Sequence, residues 1–157
     1  MNLTDIGSAV VWVDFLVIVL SNVFHLGKTL DKWYANFGIV AVISDCLVIV
    51  LVIMIAQFLA PGANTLKLAA IAIGIQLVHD VLFYYAVILG VPRGQNSVID
   101  LFKEYAVENS WKILVADSAM VGSTVIFANY LSTLKASHTT FVGLLGVYAL
   151  TYIIYTK

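Results

Sequence analysis

The chain has 157 residues, of which 62% are hydrophobic and only 11% charged, with a formal net charge of -1. Water-soluble domains carry roughly a quarter charged residues, so this composition excludes one and predicts an integral membrane protein forming a single domain over residues 1–157. A lone cysteine, Cys46, excludes an intrachain disulfide and any thiol chemistry that needs two cysteines.

Crossing about 30 Å of hydrocarbon takes about 20 apolar residues at 1.5 Å each. The first such stretch, residues 6–26, holds Asp14, and with no Lys or Arg near its start it is expected to be retained rather than cleaved as a signal peptide. Residues 27–36 read as a polar turn whose Trp33-Tyr34 pair anchors at the headgroups. The second stretch, 37–60, contains Ser44, Asp45 and Cys46, and Pro61-Gly62-Ala63-Asn64 closes it in a tight turn. The third, 68–90, carries Gln76, His79 and Asp80.

After a break at Val91-Pro92-Arg93-Gly94, Ser97 reads as a helix cap with Asp100 three residues on. An amphipathic interfacial helix is expected over 97–110. Ile99, Leu101, Phe102, Tyr105 and Ala106 form its apolar face, and Asp100, Lys103, Glu104 and Glu108 its polar one. The fourth stretch, 111–131, holds Asp117 and Ser118; the fifth, 141–155, is shorter than a full span and needs its tyrosines at the interface to cross. Ser118-x-x-x-Gly122 and Gly143-x-x-Gly146 are small-residue spacings that let helices approach closely. The expected fold class is all-α, a polytopic transmembrane bundle of four to five spans with one interfacial helix.

Five spans put Lys28, Lys32, Arg93, Lys103, Lys112 and Lys157 on one side and Lys67 and Lys135 on the other. The positive-inside bias then predicts a lumenal N-terminus and a cytosolic C-terminus. The Asn2-Leu3-Thr4 sequon falls on the glycosylation-competent side but too near the membrane to be used.

The strongest functional signal is four aspartates, Asp14, Asp45, Asp80 and Asp117, each inside a different apolar stretch. One Asp at a membrane centre costs about 2.5–3.5 kcal/mol on an insertion scale, so four of them require partners, protons, water or a ligand. Counted by depth, three or four of them share the positive-side half of the bilayer, with Asp14 deepest near the midplane, and Asn22, His25, Ser44, Gln76, His79 and Ser118 lie around them. With no mid-span Lys or Arg, a neutral hydrogen-bonded layer of Asp14, Asp45, Gln76, His79, Asp80, Asp117 and Ser118 is the cheapest arrangement. It admits three uses: helix-to-helix glue, a proton or cation path, or a His/Asp acid-base pair. Adjacent residues on a helix point about a hundred degrees apart, so His79-Asp80 is a poor start for a metal site. No cofactor and no metal are expected. No mid-span lysine is present to form a retinal Schiff base, and the potassium-filter and nucleophile-elbow sequences are missing.

At Gln76-Leu-Val-His79-Asp80-Val-Leu-Phe83-Tyr84, Ile99-Asp-Leu-Phe-Lys-Glu-Tyr-Ala106 and Lys112-Ile-Leu-Val-Ala-Asp117-Ser-Ala-Met120, the chain resembles a family of small multi-span proteins of large nucleocytoplasmic DNA viruses, including those of algae. The resemblance runs from about Trp33 to Leu131. It brings no catalytic residue, but it implies a place in a virion internal membrane derived from host endoplasmic reticulum. The expected role is then a non-enzymatic structural component, a minor capsid protein linking the membrane to capsid proteins through Asp100, Lys103, Glu104 and Glu108. Its expected partners are the lipid bilayer and capsid or other membrane proteins, and no nucleic acid. The alternative is a small proton or cation transporter or channel built on the intramembrane aspartates.

Overall fold

The first helix, α1 (Leu3–Phe24), starts where Asn2 and Asp5 cap each other. The Asp5 N–H donates to the Asn2 side chain at 3.0 Å, and the Asn2 N–H donates to Asp5 at 2.7 Å. This pair satisfies donors that a helix start leaves open, and it occupies the side chain of the sequon asparagine. The computed structural model describes residues 1–156; Lys157, counted above on the positive side, lies outside the described residues.

The stretch expected as a polar turn at 27–36 is a second helix, α2 (Lys28–Phe37). Leu30, Trp33, Tyr34 and Phe37 recur at helical spacing and give it one apolar face, and Trp33 and Tyr34 are buried rather than set at a lipid surface. Gly38 takes a left-handed φ of 49° between α2 and α3 (Ile39–Leu59). That conformation favours glycine. A side chain there would also meet the Tyr155 hydroxyl at 3.1 Å.

The Pro61-Gly62 turn leads into α4 (Thr65–Phe83), where the Asn64 side chain accepts from the Lys67 N–H at 2.9 Å. The helix then widens into a π turn over Tyr84–Ile88 before the chain breaks at Pro92. In α5 (Ser97–Asn109) the cap is Asn96, which accepts from the Val98 and Ile99 N–H groups; Ser97 is the first helical residue. Asp100 is therefore free of capping duty and accepts from the Gly94 N–H at 2.8 Å.

Two helices complete the chain, α6 (Lys112–Leu131) and α7 (Ala136–Ile153). The latter begins before the expected Phe141 because Thr139 Oγ1 donates to the Leu131 carbonyl at 3.0 Å and ties the first turn of α7 to the end of α6.

Among the described residues, four helices are long and apolar enough to cross a membrane: α1, α3, α4 with its π turn, and α6. The chain is an all-helical bundle consistent with a membrane-embedded protein. At 18 residues, or about 27 Å, α7 is the shortest of the long helices, and its most extensive packing is against α1. Gly143 faces Ser8, whose hydroxyl donates to the Thr139 carbonyl at 3.0 Å, and Trp12 Nε1 donates to the Val142 carbonyl at 2.9 Å. A Cβ at Gly146 would come within 2.7 Å of Val11, so the small residues set how closely the two helices approach.

The bundle has two unlike ends. Around the N-terminal half of α1, Ile6, Val10, Ile53, Val121, Val125 and Leu131 pack into an apolar core. At the other end a smaller cluster of Ile18, Trp33, Tyr34, Val42, Leu101 and Leu150 sits where α2 and α5 lie side by side across the long helices.

Candidate functional site

Between the apolar core and the α2–α5 pair lie the four aspartates, one from each long apolar helix. Asp14 is the deepest, ten residues or about 15 Å from the C-terminal end of α1, with no exposed surface. Neither of its carboxylate oxygens has a hydrogen-bond partner. The Tyr34 hydroxyl of α2 stands near both Asp14 and Asp45 without forming a hydrogen bond of ordinary geometry to either, and Cys46 is beside the same two carboxyls.

On α3, Asp45 is held from above: Trp33 Nε1 donates to it at 3.0 Å. On α4, Gln76 Nε2 donates to Asp80 at 2.7 Å across one helical turn, and His79 Nδ1 lies 3.1 Å from the same oxygen. The other Asp80 oxygen and the Gln76 carbonyl are buried without partners. His79 stacks on Phe83 and keeps 41% of its side chain exposed, against 14% for Asp80. Asp117, on α6, has Asp80 and Asp45 as its charged neighbours, and Ser118 follows it half-buried. Proximity thus runs from the half-exposed His79 through Asp80, Asp117 and Asp45 to the sealed Asp14.

Lys67 and Lys112 stand at helix starts, and no other lysine or arginine lies within the four long apolar helices. The carboxyls therefore repel one another with no fixed counter-charge. Among the described residues no three His, Cys, Asp or Glu side chains converge as a metal site.

The two short helices roof this layer. Trp33 of α2 stacks on Phe102 of α5 with ring centroids 4.9 Å apart, and Phe102 meets Phe83 of α4 edge-on at 6.1 Å. Tyr105 hangs from α5 toward Asp117 and Asp45. Burial, then the nearby carboxylates, push the hydroxyls of Tyr34 and Tyr105 well above the ordinary phenol range, so both remain neutral donors.

Along the outer rim the roof is pinned by polar contacts. Glu108 accepts from the Lys28 N–H at 2.9 Å, from the Thr29 N–H at 2.8 Å and from the Thr29 hydroxyl, which places a carboxylate on the N-terminus of α2, where the helix dipole favours it. These Thr29 bonds lower the Glu108 pKa. Lys32 pairs with Glu104 at 2.9 Å, which raises the lysine pKa, and Lys103 donates to the Val91 carbonyl. Asp100, Lys103, Glu104 and Glu108, expected to face a partner, thus each have a partner inside the chain.

Of the remaining expected neighbours, Gln76 and His79 join the layer, whereas Asn22 and His25 are exposed at the end of α1. Trp33, Tyr34 and Tyr105 belong to the layer and were missed as site residues. The signal for the first two was the helical spacing of Leu30, Trp33, Tyr34 and Phe37, which predicts a buried face.

No family model, no curated protein and no solved structure matches the chain.

Proposed function

We propose that the chain handles protons within a membrane, with the four aspartates as a relay entered at His79 and ending at Asp14. Asp14 carries this reading: a carboxyl with no exposed surface, no hydrogen-bond partner and no cation opposite it, in the middle of a long apolar helix. A permanent charge in that place costs several kcal/mol, and a proton passed from Asp45 by way of the Tyr34 hydroxyl, which stands near both carboxyls, removes the charge. The order of exposure, from His79 inward, gives the relay a direction, and a proton leaves Asp14 toward the opposite end when the apolar core beyond it opens to water. The relay opens on the side of α2 and α5, which the lysine and arginine count assigns to the cytosol.

Reconstitution in liposomes with an internal pH dye tests this. Wild type is expected to move protons down an imposed gradient, and Asp14→Asn to fold, insert and lose that movement. Failure of wild type to move protons, together with no infrared carboxylic-acid band that disappears in Asp14→Asn, would sink the reading.

A second reading, a structural component of a viral internal membrane contacting capsid proteins, is favoured by the α2–α5 pair, a hydrogen-bonded plate across one end of the bundle. Since its charged rim is engaged internally, a capsid partner would meet the residues left outward, Val107 at 81% and Trp111 at 68% exposure, with Lys112 next to the latter in the chain. Val107→Glu combined with Trp111→Glu should then abolish incorporation into particles while leaving membrane insertion intact. Unchanged incorporation would remove this reading.

A further inference from the structure

We propose that α5 is a gate over the aspartate layer, turning about Gly94 and Ser110 and held shut by the contacts of Glu108 and Glu104 with α2. This rests on the relay reading for its purpose, but its geometry stands apart from it. Left-handed residues flank α5, Gly94 at φ 85° three positions before its first residue and Ser110 at φ 49° at its C-terminal end. Such residues belong to turns rather than to a continued helix, so α5 joins its neighbours through two bends instead of through a rigid helical extension. Space around Gly94 is open, with nothing within 4 Å of where a side chain would start.

What holds the gate is unevenly distributed. The underside is aromatic, with Phe102 between Trp33 and Phe83, and the Phe102 ring, which carries no donor or acceptor, can slide over the other two. The specific contacts are at the rim. Glu108 accepts three hydrogen bonds from Lys28 and Thr29, and Asn109 adds a contact to Thr29 at 3.4 Å. The Lys32–Glu104 pair is exposed on both sides and contributes less, as surface ion pairs do. Glu108 is therefore the main catch. When it lets go, Tyr105 lifts away from Asp117 and Asp45 and water reaches the layer.

Cys46, the only thiol in the chain, lies under this roof beside Asp45 and Tyr34 and reports on it directly. In liposome-reconstituted full-length protein, the rate at which a membrane-impermeant, positively charged methanethiosulfonate labels Cys46 measures opening. Glu108→Ala is expected to speed labelling about tenfold or more, the fold-change set by losing a charge-assisted hydrogen bond. Lys32→Ala should speed it less, and the swap of Lys32→Glu with Glu104→Lys should return it toward wild type. Conversely, Gly27→Cys with Asn109→Cys, whose positions face each other across the catch, should slow Cys46 labelling once oxidised to a disulfide. Should Glu108→Ala misfold, the milder Lys32 and Glu104 variants and the disulfide decide alone. Equal labelling rates in all of these proteins overturn the gate. Since labelling needs no proton movement, that outcome is distinct from failure of the relay, which Asp14→Asn tests by flux.

Discussion

Trp33 Nε1 donates to the Asp45 carboxylate at 3.0 Å, a hydrogen bond that joins a short helix at the end of the bundle to a group six residues inside a long apolar one. The same indole stacks on Phe37 and Phe102. Trp33→Phe keeps the stacking and deletes the donor. It should lower unfolding stability by about 1–3 kcal/mol, the cost of a buried acceptor left unpaired. Asp45→Asn on top of Trp33→Phe should recover part of that loss, because an amide needs the donor less than a carboxylate does. Denaturant titration in detergent of the two variants checks both steps, and equal stability of Trp33→Phe and wild type would mean that the bond contributes nothing.

Asp80 accepts from Gln76 and contacts His79, so its replacement separates hydrogen bonding from charge. Asp80→Asn retains an acceptor for Gln76 and should stay near wild type in thermal stability. Asp80→Leu strands the Gln76 amide in a buried position and should cost about 1–3 kcal/mol more. A thermal melt in detergent ranks the two, and a Leu variant as stable as the Asn variant would argue against a hydrogen-bonded network on α4.

At the α1–α7 contact the expected effect is steric. A side chain at Gly143 would strike Ser8 and displace the bond from its hydroxyl to the Thr139 carbonyl. Gly143→Val should therefore destabilise by about 1–3 kcal/mol and loosen α7 from α1, seen as faster proteolysis between Lys135 and Tyr155. Gly62→Ala makes a control of the opposite kind: its left-handed φ of 77° is strained by a side chain although nothing crowds it.

The rim contacts carry a pH signature. Glu108 is lowered below its ordinary 4.5 by the Thr29 bonds, so its stabilising contribution is complete above about pH 4.5 and fades as pH falls through the depressed folded value. Lys32 is raised above 10.5 by Glu104, so its contribution is complete below that value and is lost as pH rises through the raised one. Hydrogen exchange of the α2 amides should be slow and flat between these limits and accelerate below pH 4.5, after correction for intrinsic rates. In Glu108→Gln the acid acceleration should vanish. An acid response identical in both proteins would assign it to another group.

The long helices were legible because a bilayer-length apolar run has few alternative readings, and the depth order of the aspartates followed from counting along them. Asp14 lies ten residues from the C-terminal end of its helix, and Asp45 six residues and Asp117 five from the starts of theirs. The role of residues 27–36 was harder to read, because Lys28, Asp31, Lys32 and Asn36 make the segment polar on average while Leu30, Trp33, Tyr34 and Phe37 give it one apolar face. Composition reported the average, and periodicity held the information. The rim contacts had no local signal at all: Glu108 meets Thr29 across 79 positions of chain, and only the packing of α5 on α2 brings them together. For the same reason the charges of α5 read as an outward surface when taken one helix at a time.

The π turn at Tyr84–Ile88 fits one more residue into its rise than an α-helix would. Deleting a single residue there would let the segment close into ordinary α-helix by removing the extra residue, so Gln76, His79 and Asp80 before it and the chain after it keep nearly the same relative rotation. Phe102 and Tyr105 would then keep their places over the aspartates. The π turn thus absorbs a one-residue deletion, whereas the same deletion within the regular helix Thr65–Phe83 turns the residues on its two sides by about 100° relative to each other.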